Sequence, residues 1–211
     1  MEEEKSMTTR EDILSKLKNN TEKLLKTEND NFELPDLTLL EVTEYENPVG
    51  KFIESAQKVS GAKVVEMKTG DDINEIIKSL YPEAKIIASS LPSVNSKLDP
   101  DNVEKGSDLM KVDVGVVEGK IGVAENGCIW IPQTMKERAI LFASEYLIIL
   151  LSKKYIVNNM HEAYKIIEDT PNFFEKFKFG TFISGPSKTA DIESALVYGA
   201  QAARGVAVVI V

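Results

Sequence analysis

One cysteine and one histidine are all the thiol and imidazole this chain offers. Cys128 alone cannot form an intramolecular disulfide, and 211 residues can bury a core without one. His161 has no second histidine and no nearby cysteine to join it, so no metal site is expected. Positive charge is also scarce. The 25 Lys and Arg against 34 Asp and Glu leave a net charge of −9, which excludes a general nucleic-acid binder but leaves room for a local basic pocket. Long apolar runs are missing too: YLIILL (146–151) and VAVVIV (206–211) are far too short to cross a bilayer as helices. The acidic start MEEEKSMTTRED carries no apolar signal core. The expectation is a soluble cytoplasmic protein with neither membrane nor nucleic acid as a partner.

What is present is a periodic, globular pattern. Thr8 and Glu11 read as a capping box, followed by Ile13, Leu14, Leu17, Leu24 and Leu25 at helical spacing. Pro35 breaks the pattern. This predicts a helical arm over 1–30, docked on the body or on a second copy in a homo-oligomer, and an α/β domain over 31–211. Asn47-Pro48 opens a helix that stops at Gly61, and AKVVEM (62–67) follows as a strand. Asp72 caps a helix carrying Ile73, Ile76, Ile77 and Leu80, and KIIASS (85–90) is the next strand. Helices alternating with strands favour a three-layer α/β fold, with a mostly parallel central sheet flanked by helices. The polar stretch 91–111 is either a surface loop with a short helix or a lid. Farther on, Asn126-Gly127 signals a type I′ hairpin turn. A helix over 136–144, the buried strand 146–151 and a helix capped by Asn159 come next. A strand over 181–184, a helix over 189–198 and a strand over 206–211 complete the expected order.

The stretch ISGPSKTADIE (183–193) has two readings. In the first, Ser187 or Thr189 caps a helix whose opening turn holds Asp191 and Glu193. In the second, Ser184, Gly185, Pro186, Ser187, Lys188 and Thr189 build an anion site. Gly185-Pro186 would allow close backbone approach, while helix-start amides, hydroxyls and the Lys188 ammonium would bind phosphate or carboxylate. It is not a P-loop, whose G-x-x-x-x-G-K-[ST] spacing is absent.

Together with LVYGAQAARGVAVVIV, DVGVVEGKIGVAENG and REDILSKL, in the same order, this stretch resembles the LUD-domain proteins, and within them the lactate-utilization protein C (LutC/YkgG-like) branch. The resemblance implies a NagB/RpiA/CoA-transferase-like α/β fold. It also implies a role in oxidising L-lactate to pyruvate alongside iron–sulfur partner proteins. This chain has no cysteine array for such a cluster, so no cofactor is expected on it and electron transfer would belong to the partners. Two positions depart from the family pattern. The H-G-P-R loop reads Gln201-Ala202-Ala203-Arg204, and Tyr146 stands nearest to a histidine before the middle buried strand.

The AENG string invites comparison with the S-E-N-G nucleophile of CoA transferases, which makes Glu125 the catalytic candidate and Asn126 and Gly127 its neighbours. Arg204 can clamp a carboxylate or phosphate with two donors, or pair with a surface acid. Arg138, near the start of an expected helix, gains nothing from the dipole there and so is a candidate anion contact. Asp191 adjoins the same candidate pocket. His161 reads as a solvated residue and Cys128 as a small buried one. Three functions remain open: a LutC-like subunit or accessory protein binding a small carboxylate or phosphate-bearing ligand, a stand-alone transferase or hydrolase working through Glu125, and an assembly protein.

Overall fold

Both faces of the central sheet are covered, which explains why its strands read as unbroken apolar runs. The computed structural model describes residues 10, 12, 14–18, 42–171, 179–190 and 195–211. The chain divides into two compact units, Met1–Glu41 and Val42–Val211. In the first unit residues 14–18 are helical, while the expected capping box at Thr8 and Glu11 and the break at Pro35 lie outside the described residues. In the second unit, β1 (Lys63–Glu66), β2 (Ile87–Ala88), β3 (Val114–Gly119), β6 (Tyr146–Leu151) and β11 (Gly205–Ile210) form a parallel sheet in the order β1-β11-β6-β3-β2.

Side chains alternate between its faces. Leu147, Ile149 and Leu151 of β6 and Val206, Val208 and Ile210 of β11 meet Phe52 and Ala56 on one side. Ile148, Ala207, Val209, Val114 and Val116 meet Ile73 and Ile77 on the other. The first face is covered by α1 (Pro48–Ser55) and α3 (Ile140–Ala143), and the second by α2 (Ile73–Leu80). A smaller sheet, β7-β4-β5-β8, is built from β4 (Ile121–Val123), β5 (Ile129–Pro132), β7 (Ile156–Val157) and β8 (Gly180–Ile183). It contributes Ile129 and Ile131 to the first face. Gly119 lets the two sheets meet, since a Cβ there would collide with Ile129 and Ile149. On the far side of the small sheet, Ala163 of α4 (Met160–Glu168) packs with Val123 and Cys128. This is the expected α/β architecture: helices on both faces of a parallel sheet.

The helix starts follow local chemistry. Asn47 accepts from the Gly50 amide with Pro48 at N1, Asp72 accepts from Asn74 N, and Asn159 accepts from Glu162 N. After α1 the chain widens into a π-helical turn, Ala56–Ser60, closed by Gly61 at φ 79°. Segment 91–111 is a loop ending in a 3-10 helix, Gly106–Lys111.

Three expectations are corrected. The helix over 136–144 shrinks to one turn, because side chains tie the preceding backbone: Lys136 N donates to Asp101 and Ala139 N to Glu137. The Asn-Gly turn is not a two-residue hairpin. Val123 N donates to Cys128 O across a four-residue loop, and the Asn126 side chain accepts from Cys128 N. Nor are the described residues of the helix expected over 189–198 helical: β9 (Lys188–Thr189) pairs antiparallel with β10 (Val197–Tyr198), and 191–194 lie outside the described residues.

Phe52 is fully buried between the π-helical turn and both sheets. Phe52→Ala should cost about 3–5 kcal/mol and lower the thermal midpoint by roughly 10 °C. Val59→Ala, at a 68% exposed position, should leave the midpoint within error in the same unfolding experiment.

Candidate functional site

The 184–188 turn docks on the end of the helix that closes at Ser60. Gly185 adopts φ 68° and lies against the Ser60 carbonyl, where any side chain would collide. Lys188 Nζ donates to Ser60 O at 2.7 Å and to Val59 O at 3.4 Å. Those carbonyls end a helix and would otherwise lack partners. Ser60 Oγ lies 2.7 Å from Ser184 Oγ and donates to Asn126 O at 3.0 Å, which draws the β4–β5 loop into the same joint. Gly127, at φ 68°, abuts the backbone of Ala56. Asn126, Gly127, Ser184, Gly185 and Lys188 thus converge around a helix end. Lys188 and Thr189 are in a strand and so do not supply the helix-start amides expected after Ser187. Asp191 lies outside the described residues.

Ser187 faces the other way. Its amide donates to Ala203 O at 2.9 Å and its carbonyl accepts from Gly199 N at 3.0 Å. Gly199, at φ 81°, packs so closely on Arg204 that a Cβ would approach the Arg204 Cβ to 2.8 Å. The turn therefore clamps the 199–203 loop that leads into Arg204. Pro186 is buried within the clamp and Thr189 is half-buried beside it.

Arg204 and Arg138 line one cavity of about 860 Å³ with Met110, Phe142, Glu145 and Gln201. It opens at the amino ends of β6 and β11, opposite the carboxyl edge where ligands sit in many doubly wound sheets. Gly106, at the start of the 3-10 helix, and Ala139, before the one-turn α3, also border the cavity, as do the Glu137 and Glu145 carboxylates. The Arg138 guanidinium stacks over the Phe179 ring at 4.6 Å and has no carboxylate partner among the described residues. Arg204 Nη1 lies 3.4 Å from Glu145 Oε1, both side chains being well exposed.

Glu145 is the residue that sequence reasoning missed, and its position carried a signal. Tyr146 pairs in register with Gly205, so the residues preceding these neighbouring parallel strands stand side by side. Tyr146 itself stacks on Tyr81, with centroids 4.4 Å apart. Burial, and then the neighbouring Tyr146, push the Tyr81 hydroxyl up to about 12.

Glu125 sits apart from the arginines. Its Oε1 accepts from Met160 N at 2.8 Å, at the start of α4, and the cavity holding Arg138 and Arg204 does not include it. Cys128 is buried, with its thiol pushed up to about 12 by desolvation, and His161 is exposed on α4. Among the described residues no group of His, Cys, Asp and Glu could hold a metal ion.

The LUD domain family matches residues 49–211. This chain belongs to the LUD-domain family. A DUF162 family protein of solved structure, from Deinococcus radiodurans, is similar to it with a TM-score of 0.61 and 14% identity, over 80% of this chain and 99% of that one. At that identity the likeness speaks for the fold. No curated protein matches the chain. No helix among the described residues of this LUD-domain protein is long and apolar enough to cross a membrane.

The clamp predicts effects on stability. Gly185→Ala combines a strained backbone with a collision and should cost about 2 kcal/mol or more. Lys188→Ala should cost about 1 kcal/mol through the lost carbonyl bonds. Denaturant unfolding of both variants checks the order; a Lys188→Ala protein as stable as the parent would show that the joint does not depend on the ammonium.

Proposed function

We propose that this LUD-domain protein is a lactate-utilization component of the LutC-like branch. In this reading it binds a small carboxylate in the cavity that Arg138 and Arg204 line. One observation carries the proposal: two arginines singled out separately in the sequence border the same cavity, where Glu137 and Glu145 and the apolar Met110 and Phe142 complete much of the wall. Two guanidiniums offer planar, paired donors suited to a carboxylate. Met110, Phe142 and the alanines around them would exclude water from the organic part.

Oxidation of L-lactate to pyruvate releases two electrons and two protons, which an acceptor must take. With a single cysteine, this chain is read as the part that binds or presents the acid, and iron–sulfur partner proteins as the part that accepts the electrons. Family membership supports that division of labour.

The test is calorimetric titration of the full chain with L-lactate and pyruvate. Arg204→Ala and Arg138→Ala should each weaken binding by about tenfold or more, the worth of a charge-assisted hydrogen bond. Lys188→Ala should lower the thermal midpoint while leaving affinity nearly unchanged. Loss of binding in Lys188→Ala, with both arginine variants unaffected, would move the site back to the 184–188 turn.

A further inference from the structure

We propose that the Glu145 carboxylate holds the place on Arg204 that an anionic ligand takes, so that binding exchanges one carboxylate for another. The inference rests on the anion-binding reading of the Arg138–Arg204 cavity and names what sets its selectivity.

Glu145 borders that cavity and also a second one of about 390 Å³, lined by Lys63, Tyr81, Glu83, Asp113 and Tyr146. Its contact with Arg204 is a single one of 3.4 Å between exposed side chains, the weak end of ion pairing. The backbones beneath are tied firmly. Arg204 N donates to Glu145 O at 2.7 Å, and Glu145 N donates to Val112 O at 3.0 Å. Exchange therefore needs only side-chain rotation, and the strand register stays intact.

The second cavity gives the released carboxylate somewhere to turn. Lys63 supplies a cation there, its Nζ standing 5.5 Å from the Tyr81 ring centroid. The Asp113 carboxylate already accepts from the Lys85 and Ile86 amides. A ligand that offers Arg204 two aligned oxygens outcompetes a long single contact. An ester or amide of the same acid offers only a neutral carbonyl oxygen and leaves the pair closed. Glu145 thus acts as a specificity residue, rejecting neutral analogues by occupying the arginine first.

The experiment titrates the full chain with pyruvate and, separately, with inorganic phosphate, in the parent, Glu145→Gln, Arg204→Ala and the double variant. Glu145→Gln should bind pyruvate about two- to fivefold tighter, the equivalent of an exposed ion pair removed from the competition. The gain should vanish when Arg204 is alanine. Glu145→Ala serves as a second variant should the glutamine protein fold poorly. Equal or weaker binding in both Glu145 variants overturns the inference. So does a gain that persists without Arg204, since that reports general charge rather than exchange. A gain seen with phosphate but no pyruvate binding would sink the lactate reading and keep the exchange. No anion binding in any variant overturns both.

Discussion

The contact of Gly185 with the Ser60 carbonyl is the joint on which the amino edge of this domain is organised. The helix beginning at Pro48 cannot end in a regular turn there, because it widens into π geometry over Ala56–Ser60. Two loops seat on the widened turn through glycines at positive φ: Gly127 from the β4–β5 loop and Gly185 from the turn after β8. Only residues without Cβ can come so close to the backbone. Lys188 then donates to the carbonyls that the helix leaves open, and Ser60, Ser184 and Asn126 close the remaining polar groups on one another. Because Ser187 holds the 199–203 loop from the opposite side, the placement of Arg204 follows from how this joint closes.

The same edge has a consistent electrostatic logic. In a parallel sheet with crossover helices, helix C-termini gather where the strands begin. Here the chain leaves helical geometry at Ser60, Tyr81 and Ser144, and each of these precedes a strand of the central sheet. Open carbonyls favour cations, and each of these ends has one nearby: Lys188 at Ser60, Lys63 beside Tyr81, Arg204 and Arg138 around Ser144, the last two places also holding carboxylates. An anion arriving at this edge would be bound in spite of the helix dipoles, so the side chains must over-compensate. Arg138 and Arg204 share their cavity with Glu137 and Glu145, so an arriving anion would also have to displace a carboxylate.

Much of the fold could be read locally. Asn47-Pro48, Asp72 and Asn159 mark helix starts because capping depends on residues within one turn. The runs at 146–151 and 206–211 mark central strands because burial on both faces removes the polar alternation. The failures are non-local. Ile192, Ala195 and Leu196 imitate a helical face, yet Leu196 is 56% exposed and its neighbours Val197 and Tyr198 pair with Lys188 and Thr189. At these described residues strand pairing outweighed the local helical pattern. Asn126-Gly127 did mark a turn, but its side chain took the Cys128 amide and set a longer loop. Arg138 and Arg204 were recognisable singly, while their shared cavity depends on the order in which the strands pair.

Why, then, did the 184–188 turn look like an anion site? A lysine ammonium and a hydroxyl donate to a carbonyl oxygen as they do to a phosphate oxygen, and glycine serves close approach to either partner. The donors alone therefore do not distinguish a ligand from the end of a helix. What distinguishes them is whether the donors are already engaged. Lys188 donates to two main-chain carbonyls and Ser184 is engaged with Ser60, whereas the Arg138 guanidinium rests on an aromatic ring with no carboxylate among the described residues. The stretch that carries the family likeness most plainly is thus a folding joint. In the proposed reading, binding falls to the arginines that this joint and the α3 turn bring to one cavity.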